Sequence, residues 1–257
     1  IKDQFNVIIV DECHRAAGSP TKVMQFYKVL SSLKARWKYG LSATLSRSDG
    51  MIKSTFALLG PIKHSIDQSA VGDKIIKAQY KEIFLNTEES DTYLDFDGTI
   101  NYSSLMEYLS NDDQRNKKIV ENIANSRPDS QLVLSTRIEH LKTIQNELKK
   151  LNIDSVVLHS KINKQDREMI LERMKKGENK ILIATFTLAK EGLDIPRLTI
   201  LHLTQPSKNK AIIEQSVGRI ERNIQGKNKP TVYDYIDQKI DYCYNAYKKR
   251  KGLLNNV

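Results

Sequence analysis

The sequence predicts an α/β protein whose parallel sheets carry flanking helices. Three observations lead there. Short, apolar, β-branched runs recur along the chain: Val7-Ile8-Ile9-Val10, Leu132-Val133-Leu134, Val156-Val157-Leu158, Ile181-Leu182-Ile183-Ala184 and Leu198-Thr199-Ile200-Leu201. Runs so short and so apolar suit strands buried on both faces. Amphipathic stretches of helical length separate them, and strand–helix alternation from about residue 131 to 236 is the signature of a parallel sheet. The composition is that of a folded globular chain, with 39% hydrophobic and 28% charged residues.

Taken in order, Val7–Val10 is the first strand. A helix follows near Val23–Leu33, then a strand at Tyr39–Ser42, then a helix around Met51–Leu59. These make only part of an α/β domain. Pro61 and the stretch Ser69–Asp73 mark a boundary, so we expect domains at 1–73 and 74–257. Residues 74–85 alternate in part and predict a strand into the second domain. Residues 86–101 hold five carboxylates and no Lys or Arg, which predicts an exposed acidic loop. Helices are expected at Tyr102–Leu109 and Asp113–Asn125. Glu139–Leu151 places Leu141, Ile144, Leu148 and Leu151 on one helical face, and Lys164–Lys176 carries Met169, Ile170 and Met174. The run Lys248-Lys249-Arg250-Lys251 reads as solvated. The second domain is therefore nearly complete and the first is not.

Charge and hydropathy narrow the function. Lys and Arg number 41 against 31 Asp and Glu, a net charge of +10. Such an excess suits an anionic partner, nucleic acid first among them, although a basic protein with no such partner would look alike. Mean hydropathy is −0.50. No run approaches the roughly 18–20 apolar residues of a membrane helix, so no membrane association is expected. Cys13 and Cys243 cannot build a disulfide framework or a zinc site, and they suit a reducing, cytoplasmic setting. The N-terminus starts at Ile1 without a signal-peptide pattern, and we expect the chain to be cut from something longer.

Four motifs carry chemistry. In Val7–Arg15, Asp11 and Glu12 follow a buried strand, where ligands bind in open α/β sheets. One carboxylate there can hold Mg²⁺ through water and the next can polarise an attacking water. The plain alternative is a pair of acids that begins a turn. In Tyr39–Thr44, the hydroxyls of Ser42 and Thr44 could hydrogen-bond the loop of Asp11, Glu12 and His14 if the two strands are neighbours. In Ile183–Pro196, Thr185 and Thr187 end a strand, where hydroxyls can bind phosphate oxygens, and Asp194 can bind a ribose hydroxyl. In Glu214–Arg222, the spacing predicts that Gln215, Gly218, Arg219 and Arg222 share one helical face. Two arginines so placed suit bidentate contacts to a triphosphate, or simply form a basic surface helix.

The four motifs, in this order, resemble the ATP-dependent helicases of superfamily two. Asp11-Glu12-Cys13-His14 matches the DExH form of motif II, Ser42-Ala43-Thr44 motif III, Glu191-Gly192-Leu193-Asp194 motif V, and Gln215, Gly218, Arg219 and Arg222 motif VI. Leu132–Leu141 is similar to motif IV, and Leu158–Thr185 to the stretch leading into motif V. Tyr39–Met51 looks most like the DNA branch of phage branch-migrating helicases and archaeal and eukaryotic repair helicases.

The resemblance implies a two-lobed RecA-like motor with ATP between the lobes and nucleic acid, DNA rather than RNA, across both. Asp11 would hold Mg²⁺, with Glu12 beside it orienting or deprotonating the attacking water. Arg219 and Arg222 would reach the γ-phosphate, and Gln215, Gly192 and Asp194 would serve nucleotide or interface contacts. His14, Ser42 and Thr44 would couple hydrolysis to closure. Thr136, Arg137, His159, Ser160 and Thr185 would approach the sugar–phosphate backbone, a monomer sufficing. An RNA helicase, or a nucleic-acid-binding remnant without catalysis, would share these motifs. One element is missing. Only Gly226 among the eleven glycines is followed by Lys, so no GxxxxGK[ST] phosphate loop lies in the chain. Alone, these residues are expected to bind ATP poorly and not to hydrolyse it.

Overall fold

The computed structural model describes residues 5–16, 25–42, 52–66, 75–190 and 193–254. It divides into two compact units, Ile1–Ala70 and Val71–Val257. Among the described residues, no helix is long and apolar enough to cross a membrane.

In the first unit, β1 (Val7–Val10) pairs in parallel with β2 (Trp37–Gly40), with Val7 opposite Trp37 and Val10 opposite Gly40. Helices α1 (Gln25–Ser32) and α2 (Ile52–Leu59) accompany them. Val10, Cys13, Ala16 and Leu30 form the core, with Ile8, Leu58 and Leu59 packed against it. The expectation of burial on both faces fails for β1. Side chains alternate along a strand, so Ile8 and Val10 meet the core while Val7 and Ile9 stay 48% and 65% exposed. The second strand also lies two residues earlier than Tyr39–Ser42. Trp37 and Lys38 extend it at the front, and Gly40 ends it. Gly40 is held by space: a Cβ there would sit 2.8 Å from both Cys13 Sγ and Leu59 Cδ1.

The second unit holds a six-stranded, wholly parallel sheet. Its strands are β3 (Gln79–Leu85), β4 (Gln131–Ser135), β5 (Val156–Leu158), β6 (Ile181–Thr185), β7 (Ile200–Leu203) and β8 (Thr231–Asp237), in the spatial order β3-β8-β7-β4-β6-β5. Its helices are α3 (Tyr102–Asn111), α4 (Asp113–Asn125), α5 (Ile138–Lys150), α6 (Lys164–Lys176), α7 (Phe186–Lys190), α8 (Lys210–Ile220) and α9 (Asp241–Leu254). β4, β6 and β7 are buried at every residue, as strands covered on both faces must be. Alternate residues feed two apolar layers. Leu132, Leu134 and Leu182 meet Met174, Ile213 and Val217 on one side. Val133, Ile181 and Ile183 meet Ile119, Ile144 and Leu148 on the other.

Helix ends follow their local chemistry. Asn163 caps α6 by accepting from Asp166 N at 2.9 Å, and Gly177 ends it in the left-handed region at φ 78°. Three expectations are corrected by the structure. β7 starts at Ile200, not Leu198, because Thr199 and Ile200 both donate to Ser130 O before the ladder begins. The stretch 86–101 is not simply an exposed loop: Thr87 and Tyr93 are buried, and the Tyr93 ring lies 5.3 Å from that of Tyr108 on α3. α8 stops at Ile220, so Arg222 lies beyond the helix expected to carry it.

Candidate functional site

The first unit places its motif residues at the carboxyl end of β1. Glu12 takes a left-handed backbone, φ 50° and ψ 44°, which costs a non-glycine residue roughly 1–2 kcal/mol. That turn brings its Oε2 to 3.2 Å from His14 Nδ1. His14 is buried, and the same Nδ1 lies 2.8 Å from Ser42 Oγ. Nδ1 therefore lies between the Glu12 carboxylate and the Ser42 hydroxyl. Backbone bonds fix the pairing: Leu41 N donates to Val10 O at 2.8 Å, and Cys13 N to Leu41 O at 2.9 Å. The strand-neighbour condition for Ser42 is therefore met. Thr44 lies outside the described residues.

Asp11 is exposed, and its Oδ1 accepts from Glu12 N at 2.8 Å. Two adjacent carboxylates at this strand end fit a hydrated Mg²⁺, which is held by one or two carboxylates together with substrate phosphates. Among the described residues, no three His, Cys, Asp or Glu side chains group as a full protein cage, and this ion needs none.

In the second unit, three predicted clusters follow three adjacent strands. Thr136 and Arg137 follow β4, Thr185 ends β6, and His159 and Ser160 follow β5. Parallel strands put all of them along one edge. Their accessibility differs. Ser160 is exposed, His159, Thr136 and Arg137 are half-buried, and Thr185 is buried. His159 Nδ1 accepts from Lys161 N at 3.3 Å. Arg137 donates to Ser103 Oγ at 2.8 Å and to the Ser103 carbonyl, with Glu107 at 3.6 Å.

Beneath Thr136 lies a buried network that joins residues of Leu132–Leu141 to Gln205, Ser110 and Asn116, which no sequence motif marks. Gln205, just past β7, accepts through Oε1 from Ser135 Oγ at 2.9 Å, from Thr136 N at 2.7 Å and from the Thr136 hydroxyl. Its Nε2 donates to Ser110 Oγ at 2.8 Å. Ser135 Oγ also meets His140 Nδ1 at 2.9 Å, and His140 Nε2 meets Asn116 Oδ1 at 2.8 Å. Burial, and then Arg115, push the His140 pKa down to about 3, so it is neutral. Gln205 thus fixes the orientation of Thr136.

Gln215, Gly218 and Arg219 lie on α8. Arg222 leaves the helix, bridges Ile75 and pairs with Asp194, whose side chain is 57% exposed against 43% for the arginine. The expected shared face is therefore broken at Arg222, and motif V and motif VI meet through this pair instead. Gly192 lies outside the described residues. Lys227 staples the junction: its Nζ donates to the carbonyls of Ile220 at 2.6 Å, Arg222 at 2.9 Å and Pro196 at 3.2 Å. Burial, then the neighbouring Arg222, lower its pKa to about 8. Glu221 holds the incoming segment, accepting from Ala78 N at 2.9 Å and, through its backbone, from Ile76 N at 2.8 Å.

Each unit contains a stretch that matches a known protein family. Residues 114–223 match the family described as helicase conserved C-terminal domain, and residues 1–47 match the type III restriction enzyme res subunit. A relative from Acanthamoeba polyphaga mimivirus, named a putative ATP-dependent RNA helicase, L396, is 30% identical over 98% of this chain and 46% of its own. The ATP-dependent DNA helicase uvsW of Enterobacteria phage T4 is 23% identical over 91% of this chain and 46% of its own. The chain spans about half the length of the curated relatives it matches. Among solved structures, Saccharomyces cerevisiae Dbp5 bound to RNA and ADP BeF3 superposes with a TM-score of 0.70 at 15% identity, covering 100% of this chain and 59% of that one. That likeness is one of fold, which is RecA-like.

Proposed function

We propose that the chain is part of a superfamily-two helicase and forms the stretch of an ATP-driven nucleic-acid motor running from the acidic catalytic loop to the arginine-bearing helix. The observation that carries this reading is the exposed Arg222–Asp194 pair that follows Arg219. An exposed pair has little net stability to lose, so Arg222 can exchange the carboxylate for a phosphate at small cost.

Mg²⁺–ATP, when bound, supplies the phosphoryl group and the cation that neutralises its charge. Asp11 would hold the ion. Glu12 orients the attacking water and accepts its proton, with its carboxylate kept in place by His14. Arg219 and Arg222 stabilise the charge that develops on the γ-phosphate. They favour the state in which they meet that phosphate, and they lose that preference after hydrolysis. His14 and Ser42 relay the change, with Gln215 and Asp194 as further contacts. Thr136, Arg137, His159 and Ser160 grip the sugar–phosphate backbone without reading sequence, with Thr185 behind them at the buried end of β6. We place the motor on DNA, as a monomer in a cytoplasmic setting. The phage relative is named a DNA helicase, and the +10 charge suits phosphate binding. Without a GxxxxGK[ST] loop, the 257 residues alone are proposed not to hydrolyse ATP.

The test is ATP hydrolysis by a protein that joins this chain to such a loop, with single-stranded, duplex and branched DNA and with RNA as stimulators. Stimulation by DNA supports the reading, and stimulation by RNA alone selects the RNA alternative. Glu12→Gln should abolish hydrolysis and leave ATP binding intact. Normal turnover in that variant would remove the role given to Glu12.

A further inference from the structure

The basic run at the end of the sequence does not behave as one solvated patch. Arg250 is buried and donates to Asp234 at 2.8 and 2.9 Å. Lys251 pairs with Glu82 at 3.1 Å. Lys248 and Lys249 remain exposed and form no ion pair among the described residues. Lys208, in the loop between β7 and α8, is likewise exposed without an ion pair among them. It sits close enough to Lys249 that this neighbour, after burial, lowers its pKa.

Aromatic rings lie among these cations. Lys208 Nζ stands 3.6 Å from the centroid of the Tyr242 ring, and Lys248 Nζ stands 5.1 Å from that of Tyr244. Tyr242 and Tyr102 are 5.8 Å apart and tilted at 56°. Tyr102 and Tyr244 remain 44% and 38% exposed. Tyr242 and Lys249 lie seven residues apart on α9, hence on one face. The strip also continues an interface already described: Ser103, next to Tyr102, is the residue that Arg137 holds.

We propose that Lys208, Lys249, Tyr102 and Tyr242 form a docking strip for single-stranded nucleic acid, extending the track that starts at Thr136 and Arg137; Tyr244 and Lys248 lie on the other side of α9 and are not part of it. This rests on the nucleic-acid reading above. The chemistry favours a single strand. Its phosphates meet the lysines while its unpaired bases stack on the tyrosines, whereas a duplex hides its base faces and leaves the rings idle.

The experiment is a fluorescence-anisotropy titration of the 257-residue chain with a labelled oligothymidylate at several salt concentrations. The parent should bind with a steep salt dependence. Lys208→Gln with Lys249→Gln should flatten the slope of log affinity against log salt by about 1.4, two phosphate contacts at about 0.7 each. Tyr102→Ala should weaken binding by about tenfold at any one salt concentration. Lys150→Gln, on the exposed surface of α5, should change neither. Near-ultraviolet circular dichroism of the lysine pair, both exposed, checks that the fold is kept. Parent-like slope and affinity in the lysine pair would overturn the strip and leave the nucleic-acid reading standing. Failure of the parent to bind would overturn both. Retained oligonucleotide binding with loss of binding to phosphatidylserine vesicles would make the strip a membrane contact and refute the proposal.

Discussion

Arg115 and Arg222 each pair with an aspartate, in surroundings that differ completely. Arg115 Nε donates to Asp237 at 2.9 Å, and neither side chain is exposed at all. The same guanidinium reaches the Thr204 carbonyl, and Thr87 Oγ1 donates to Asp237 at 2.8 Å. Arg222 meets Asp194 at the surface with about half of each side chain in solvent. Burial makes the first pair a fixed joint at the carboxyl ends of β7 and β8, since separating it strands a charge in a dry interior. Exposure makes the second pair exchangeable, since water and salt already share its charges. Within one unit, the same chemistry holds the sheet in one place and leaves an arginine available in another.

The largest effect should come from breaking the buried joint. Arg115→Ala leaves Asp237 charged and buried, and should cost about 3–5 kcal/mol in urea unfolding. Arg115→Met combined with Asp237→Leu removes both charges and should recover much of that loss. A cost under about 1 kcal/mol for Arg115→Ala would erase the contrast with Arg222.

Acid should act next, through the same buried layer. His140, and His202 between Gln131 and Tyr235, are held neutral by burial with pKa values of about 3. Below the ordinary value near 6.5 the unfolded chain takes up protons that the folded chain refuses, so stability falls as pH drops from about 6.5 toward 3. Each histidine adds about 1.4 kcal/mol per pH unit to that slope. Chemical denaturation of the parent and of His202→Gln at pH 7, 6 and 5 measures it. Parallel profiles for the two proteins would remove His202 from the explanation.

Lys227 lies between the two extremes. Its pKa of about 8 is below the 10.5 of a free lysine. The unfolded chain therefore holds a proton that the folded chain has lost, and stability should rise as pH climbs from about 8 to 10.5. Lys227→Met should lack that rise and, in a protein that joins this chain to a GxxxxGK[ST] loop, should also lower kcat for ATP more than it changes KM, because the staple positions Arg222 rather than touching nucleotide. An unaltered pH profile in the variant would dismiss the staple. The smallest stability effect is expected at the exposed pair, where Arg222→Ala should shift unfolding by no more than about 1 kcal/mol.

The sequence makes local structure plain and hides what depends on distant partners. α6 runs from Lys164 to Lys176 as its pattern predicts, because Asn163 and Gly177 mark both ends. β4 and β6 follow from apolar runs that only a doubly covered strand explains. β8 escapes such reasoning, since Asp234 and Asp237 interrupt it, and both acids are buried only because Arg250 and Arg115 meet them. The motifs locate Asp11, Glu12, His14 and Ser42, and the structure joins Glu12 and Ser42 at His14. Helical spacing places Arg222 on α8, whereas its partner Asp194 is 28 residues away and its backbone is tied by Lys227. Gln205 has no motif around it, and its role comes from distant segments that converge on one amide.

The most direct test of the exchangeable arginine compares turnover with stability in one variant. In a protein joining this chain to a GxxxxGK[ST] loop, Arg222→Ala should cut nucleic-acid-stimulated ATP turnover by about 10³ or more, by analogy with other arginine fingers. Its urea midpoint should match that of the parent. Parent-like turnover, or a loss of stability as large as that of Arg115→Ala, would contradict the account.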